Sequence, residues 1–493
     1  MSEEESAQQD NNSESVTSRL SVEKIGGTSM SEFERVRDNI IKYDPARLYN
    51  RVFVVSAYGG VTNLLLEHKK TGEPGVYELF ANDDSDWAWG DALTRVSQHL
   101  CEINAKLFED TPLLQQADQF VRERVEGVRS CLLDLQRLCS YGHFRLDEHL
   151  LTVRELLASL GEAHSAYNMT QLLQLEGINA RFVDLTGWRD ERELNLVERI
   201  SDAFRDIQVD SELPIVTGYA HCTEGLMRTF DRGYSEITFA TIACELDVDE
   251  AIIHKEYHLS SADPKVVGDG KVVPIGRTNY DVADQLSNLG MEAIHPKAAK
   301  GMRQRDIPLR VKNTFEPEHT GTLITRDYTS ETPRVEIIAG QPHLLAIQIF
   351  DQDMVGERSR YEERLQDMIK RFKLRVLGRD SNANTLTAYV DCSLKTAKKV
   401  AENFNERIPS AQITSKKVAV VSAIGSDMEV TGLLAKTVQS LADRQINVLA
   451  IHQGMRQVDI QIIVEEDKYV ESVKALHGAL IEPHNHEYAI CAA

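Results

Sequence analysis

The sequence predicts an α/β fold with a mainly parallel sheet, followed by two smaller α+β units. Three observations carry that expectation. From Ser21 onward, short β-branched runs punctuated by glycine alternate with amphipathic runs, the pattern that a parallel sheet with crossover helices requires. The 493 residues are enough for about three domains, which excludes a single small binding module. The segment TRDYTSETPR at 325–334 is polar, carries a proline and follows the last glycine-marked turn. A domain boundary is expected there.

Taken in order, residues 1–19 hold Glu3, Glu4, Glu5, Asp10 and Glu14 and almost nothing to bury, so they are expected to form a disordered acidic tail. Val52 to Ser56 reads as a buried strand, and Val216 to Tyr219 and Ala251 to Ile253 as others in a unit spanning 20–325. Between about 77 and 175 the pattern is helical: Val121, Val125, Val128, Leu132 and Leu135 share one face by their three- and four-residue spacing. Beyond the boundary come a strand Leu345 to Phe350, a helix with Tyr361, Leu365, Met368 and Phe372, a strand Leu386 to Val390, and a helix with Leu394, Ala397, Ala401 and Phe404. The next unit offers strand Val418 to Ile424, then a helix with Val430, Leu434, Val438 and Leu441 on one face. Strands Ile446 to His452 and Val458 to Val464, a helix with Tyr469, Val473, Leu476 and Leu480, and a last strand at Glu487 to Ala492 complete it. That order is a ferredoxin-like plan, and the economical reading is a tandem repeat, 335–415 and 416–493.

The formal charge is −22, with 42% apolar residues to build cores. So acidic a chain repels phosphate backbones and anionic lipid, which argues against nucleic-acid and membrane partners. An anionic substrate must be met by a few local cations. Seven cysteines (Cys101, Cys131, Cys139, Cys222, Cys244, Cys392, Cys491) show no C-x-x-C spacing. They read as reduced thiols in a cytoplasmic protein rather than as a disulfide framework or zinc site. No basic leader precedes an apolar stretch, and no 18 apolar residues run together, so neither export nor membrane spanning is expected.

Three glycine-rich turns each follow a strand-like run: Lys24-Ile25-Gly26-Gly27-Thr28-Ser29, Ser56 to Asn63 around Gly59-Gly60, and Asp231-Arg232-Gly233-Tyr234-Ser235-Glu236. Glycine lets backbone N–H groups turn toward an anion, so several such turns together suggest phosphate binding. Neither G-x-x-x-x-G-K-[ST] nor G-x-G-x-x-G occurs at them, which removes support for a P-loop or dinucleotide fold.

The string Val22-Glu23-Lys24-Ile25-Gly26-Gly27-Thr28-Ser29 resembles the K-F-G-G-T-S opening of aspartate kinases in the amino-acid kinase superfamily. Val54 to Asn63 is similar to their second phosphate and substrate loop. Leu160-Gly161-Glu162-Ala163-His164-Ser165 resembles G-E-x-x-S, and Arg232-Gly233-Tyr234-Ser235-Glu236 resembles R-G-G-S-D. Ala262-Asp263-Pro264-Lys265 is similar to T-D-P-R, Ile294-His295-Pro296 to L-H-P, and Ile307 to Phe315 to I-P-V-x-I-K-N-T-F. Ile446-Asn447-Val448, Ile451 and Gln453-Gly454 resemble the ACT modules that follow the kinase domain in that family. The resemblance implies a three-layer amino-acid-kinase domain with two ACT modules, and phosphoryl transfer from ATP, with Mg2+, to the side-chain carboxylate of L-aspartate. It also implies a homo-oligomer through the ACT modules, a dimer or a dimer of dimers. A kinase of another small carboxylate such as glutamate, and an inactive amino-acid-binding regulator, are the alternative readings.

Carried over residue by residue, the resemblance makes Lys24 the cation on the transferring phosphoryl group. Gly26, Gly27, Ser56 and Gly59 become phosphate contacts, and Asp263 and Lys265 nucleotide-side residues. Thr62, Glu162 and Ser235 would hold the amino acid, Glu162 through its α-ammonium. Arg232 would grip a carboxylate, and Glu236 joins Lys24 and Arg232 in the catalytic set; no metal-ligating residue is assigned. The departures cluster on the nucleotide side: Tyr234, Glu236 and Asp231 replace glycine, aspartate and glycine, Ile253 to His258 replaces W-T-D-x-D-G, and Glu292 replaces a lysine. Arg228 is expected to compensate for the lost cation. The K-I-G-G-T-S-M, A-Y-G-G-V-T-N-L-L-L and D-R-G-Y-S-E strings resemble the ectoine-pathway branch. Gln453 to Gln461 lacks two hydroxyls and a glutamate of the family's effector stretch, so the modules are expected to serve mainly as a dimer interface with altered effector binding.

Overall fold

The structure, a computed structural model, describes residues 19–484 except 70, 83–86, 110, 231–232, 269 and 292. The acidic tail up to residue 18 and the strand expected at Glu487 to Ala492 lie outside the described residues.

Eight strands form the first sheet: β1 (Ser21–Ile25), β2 (Arg51–Val55), β3 (Ala180–Val183), β4 (Leu213–Thr217), β5 (Glu250–Lys255), β6 (Arg277–Asn279), β7 (Leu309–Asn313) and β8 (Thr322–Thr325). Their order is β3-β4-β2-β1-β5-β7-β8-β6, and every pair is parallel except β7 with β8. β1, β2 and β4 are buried along their whole length, as strands covered by helices on both faces must be. The helices Leu150–Leu175 and Tyr234–Glu245 cover one face. In the helix Leu113–Ser140, Val121, Val125, Val128 and Leu132 are buried as their spacing predicts. One expectation fails: the third glycine turn follows the helix Leu226–Phe230, not a strand, so it joins two helices.

Six antiparallel strands form the second sheet: β9 (Ile337–Phe350), β10 (Arg375–Ser381), β11 (Thr385–Asp391), β12 (Gln412–Ile424), β13 (Ala450–Gln453) and β14 (Asp459–Glu465). The order is β10-β11-β9-β12-β14-β13. β9 and β12 are long enough to serve both units. Leu345 to Phe350 pairs with β11 and with Gln412 to Lys417, while Ile337 to Gln341 pairs with Val420 to Ile424. Helices Met354–Arg371 and Leu394–Asn405 pack on the first half, and Leu433–Ala442 and Tyr469–Leu480 lie with the second. The helix predicted around Val430 is out of phase. It begins at Leu433 after Gly432 at φ +85° and buries Leu433, Thr437 and Leu441, leaving Val430, Leu434 and Val438 exposed.

The two sheets share packing. Ala262 and Val267, from the kinase-like unit, join the core built by Ile338, Val421 and Leu476, and Ser261 Oγ lies 3.0 Å from His477 Nε2.

Beneath β1, Glu23 and Arg51 form a bidentate pair at 2.5 and 3.0 Å. The Arg51 guanidinium also donates to the carbonyls of Ile40 and Ile41, and His254 Nε2 lies 2.7 Å from Glu23 Oε2. Burial alone would raise the Glu23 carboxyl, but Arg51 and His254 hold it well below the usual carboxylate range. Arg51→Ala is expected to lower unfolding free energy by about 3–5 kcal/mol, because it leaves a buried charge uncompensated. Urea unfolding measures this, and a loss below about 1 kcal/mol, the value of an exposed pair, would contradict it.

Candidate active site

Strand alternation sends Glu23 and Lys24 to opposite faces of the first sheet. Lys24 is 8% exposed and sits at the end of β1, on the face covered by the helix Tyr234–Glu245. Its Nζ lies 3.7 Å from Glu236 Oε1. Glu236 Oε2 accepts from the backbone N–H of His295, the residue that caps the helix Pro296–Gln304, so the carboxylate is held from two sides.

The turns after β1 and β2 touch. The N–H of Ser56 donates to the Ile25 carbonyl at 3.1 Å, and a Cβ on Gly27 would stand 2.6 Å from the Ala57 carbonyl oxygen. Only glycine permits that approach. Gly59 N–H donates to Ser31 Oγ at 2.9 Å. Thr62 lies in the short helix Val61–Leu65 that follows, half-buried. Sequence reasoning thus brings Lys24, Gly26, Gly27, Ser56, Gly59 and Thr62 to one edge of the sheet.

Glu162 enters from the middle of the helix Leu150–Leu175 and is 2% exposed. Ser165, one turn later, donates to the Ser56 carbonyl at 2.9 Å, which locks this helix to the turn after β2. A Cβ on Gly218 would stand 2.8 Å from Ser235 Cβ, 2.9 Å from the Val55 carbonyl oxygen and 3.0 Å from Glu162 Oε2, so Gly218 is what lets Glu162 and Ser235 meet. Burial pushes the Glu162 carboxyl up to about 8, against the opposing pull of Lys24, the Tyr234 hydroxyl and the backbone of Tyr219 and Ala57. Oε2 is buried with no partner of hydrogen-bonding geometry. A buried carboxylate with one oxygen unpartnered is suited to a cationic group supplied from outside.

Not every expected residue is seen to join this cluster. Arg232 and Asp231 lie outside the described residues. Asp263 Oδ1 accepts from the N–H of Lys265 at 2.9 Å, capping the helix Pro264–Val267. Lys265 Nζ sits 6.0 Å from the centre of the Tyr257 ring. Among the described residues, no hydrogen bond or ion pair joins this pair to Lys24. In the loop after β5, Glu256 Oε1 accepts from Ser29 Oγ at 3.3 Å. The Arg228 guanidinium donates to the Glu224 carbonyl, four residues earlier. His254, expected in the nucleotide-side run, belongs to the buried Glu23 network. Sequence reasoning missed Tyr219 and the facing role of Tyr234, whose rings lie 5.7 Å apart beside Glu162. Tyr234 was visible only as a departure from a glycine.

Residues 19–313 match the model of the amino acid kinase family, and 421–480 match an ACT domain model. The chain is 56% identical over 474 residues to aspartate kinase Ask_Ect of Stutzerimonas stutzeri (strain A1501), covering 96% of this chain and 99% of that protein. The crystal structure of E. coli aspartokinase III with lysine and aspartate (T-state) is similar in fold at TM-score 0.72 and 19% identity, over 94% of this chain and 100% of that one. The same enzyme with aspartate and ADP (R-state) matches at TM-score 0.70, 19% identity and the same coverage.

Because the folded-state pKa of Glu162 is raised, it favours folding most below its ordinary value near 4.5 and loses that contribution as pH rises through about 8. The stability of the unliganded chain relative to Glu162→Gln should therefore fall as pH rises from about 5 to 9, as read from paired urea titrations. A difference independent of pH would contradict the assignment.

Proposed function

The chain belongs to the amino acid kinase family and is an aspartate kinase, and on that premise we propose that Lys24 and Glu162 align the γ-phosphoryl group of MgATP with the side-chain carboxylate of L-aspartate. The observation that carries this reading is the buried Glu162 carboxylate, under-satisfied and facing Lys24. It offers an α-ammonium a partner while the substrate's own side chain faces the cation.

The chemistry asks for little else. A carboxylate with a pKa near 4 is ionised at neutral pH, so no general base is needed. One carboxylate oxygen bonds to the γ-phosphorus, the bond to the β,γ-bridging oxygen breaks, and ADP leaves with the electron pair. No proton moves. Lys24 offsets charge on the transferring group, with Glu236 orienting the ammonium of Lys24. Gly26 and Gly27 present backbone donors to the phosphates and Ser56 its hydroxyl, while Gly59, whose N–H is held by Ser31 Oγ, shapes the second phosphate turn; Asp263 and Lys265 border the nucleotide from the far side. Ser235 lies beside Glu162, Thr62 contributes a further hydroxyl to the amino acid, and Arg232 takes a substrate carboxylate in a bidentate grip. Magnesium enters as part of the MgATP substrate. Such a site works by alignment and electrostatics rather than by covalent catalysis.

Three further features extend the reading. The likeness to Ask_Ect and the loop strings support service to ectoine synthesis. Val430, Leu434 and Val438 form an exposed apolar strip on the second ACT half, which supports a homo-oligomer through these modules. Among the described residues the six cysteines are free thiols and no helix is long and apolar enough to cross a membrane; both suit a cytoplasmic enzyme.

ADP release from MgATP with aspartate, glutamate or N-acetylglutamate as acceptor, with the acyl phosphate trapped by hydroxylamine, tests the acceptor. Lys24→Ala should lower kcat by roughly 10²–10³, whereas Glu162→Gln should raise the aspartate KM about 10- to 100-fold. A Lys24→Ala enzyme of unchanged kcat would show that the phosphate site lies elsewhere.

A further inference from the structure

Two loops that leave the first sheet side by side turn three metal-ligating groups toward one another. β5 and β7 are parallel neighbours with Lys255 opposite Asn313. His258 lies just beyond the first strand, and Glu316 and His319 just beyond the second. His258 Nε2 is 3.0 Å from Glu316 Oε2, and His319 Nε2 is 3.4 Å from the same oxygen. The three donor atoms all fall within 4.8 Å of one another, with the two imidazole rings edge to face at 4.9 Å. On a tetrahedral cation with bonds of about 2.0–2.1 Å, neighbouring donors stand about 3.3 Å apart. Two of the three pairs already have that spacing.

The surroundings are built to hold the ligands. Glu316 Oε1 accepts from Asn313 Nδ2 at 3.1 Å, and Asn313 Oδ1 in turn accepts from the N–H of Phe315. Hydrogen bonds of this kind orient a ligating carboxylate. A backbone turn from Glu316 to His319, closed by the His319 N–H to the Glu316 carbonyl at 3.2 Å, sets those two side chains on one side. His258 is largely covered, whereas Glu316 and His319 are partly open to solvent, which leaves an entry path.

We propose that His258, Glu316 and His319 bind a divalent transition cation of the zinc class, with a fourth position open to water. Two imidazoles and one carboxylate suit zinc and its neighbours, while magnesium demands an octahedral oxygen shell. This donor set therefore differs from the oxygen shell that magnesium takes with ATP. A cation here ties the exits of β5 and β7 together, next to the contact between Ser29 and Thr314 at 3.1 Å.

The test uses the untagged full chain without nucleotide in a non-chelating buffer, with Zn2+ followed by calorimetry and Co2+ by visible absorption. The native chain should bind about one equivalent at this site, and His258→Ala and His319→Ala should each weaken it at least about 10-fold. Zn2+ should raise Tm for the native chain and not for either variant. If His258→Ala does not fold, His319→Ala and Glu316→Gln, both altered at partly exposed positions, supply the comparison. Failure of the native chain to bind Zn2+, or affinity and stoichiometry unchanged in the folded variants, would overturn the proposal and leave a hydrogen-bonded cluster only.

Discussion

The turns leaving β1, β2 and β4 lie against one another at backbone distance, and the rest of the structure depends on that contact. Gly27 faces the Ala57 carbonyl, and Gly218 faces the Val55 carbonyl with Ser235 and Glu162 just beyond it. Parallel pairing of β1 with β2 and of β2 with β4 delivers the three turns to the same edge. Without side chains at the two glycines, helices bearing Glu162 and Ser235 can close over that edge. A methyl group at either position would push apart the segments that hold the charged groups.

Charge is then sorted by strand alternation. Glu23 and Lys24 are consecutive, yet Glu23 is consumed in a buried network with Arg51 and His254, while Lys24 faces Glu236 and Glu162. The first network is satisfied internally. The second retains a carboxylate raised by burial and incompletely bonded, which is the state expected of a group awaiting a ligand. With a chain charge of −22, the proposed nucleotide site relies on the few groups lining the edge rather than on the total.

The C-terminal region obeys a different constraint. β9 and β12 run through both halves of one antiparallel sheet, so the halves are mechanically continuous. Ala262 and Val267 extend the core of the second half into the loop that carries Asp263 and Lys265. The ACT region is therefore packed directly against the segment that follows β5, through Ser261 and His477 among others.

Local pattern by itself determined the α/β class, the buried strands, the face of the helix Leu113–Ser140 and the first two glycine turns, since each depends on residues close together in the chain. The motif strings also named Lys24, Glu162 and Thr62. Phase and partnership were decided only in three dimensions. The helix starting at Leu433 took its register from Gly432 and from what it packs against, so Leu434 and Val438 turned outward. His254 found a partner in Glu23, 231 residues away in sequence, that no local spacing announced. The grouping of His258 with Glu316 and His319 arose because β5 and β7, over 50 residues apart in sequence, pair side by side. Long-range pairing sets which side chains meet, and that information is carried by the packed sheet rather than by any one segment.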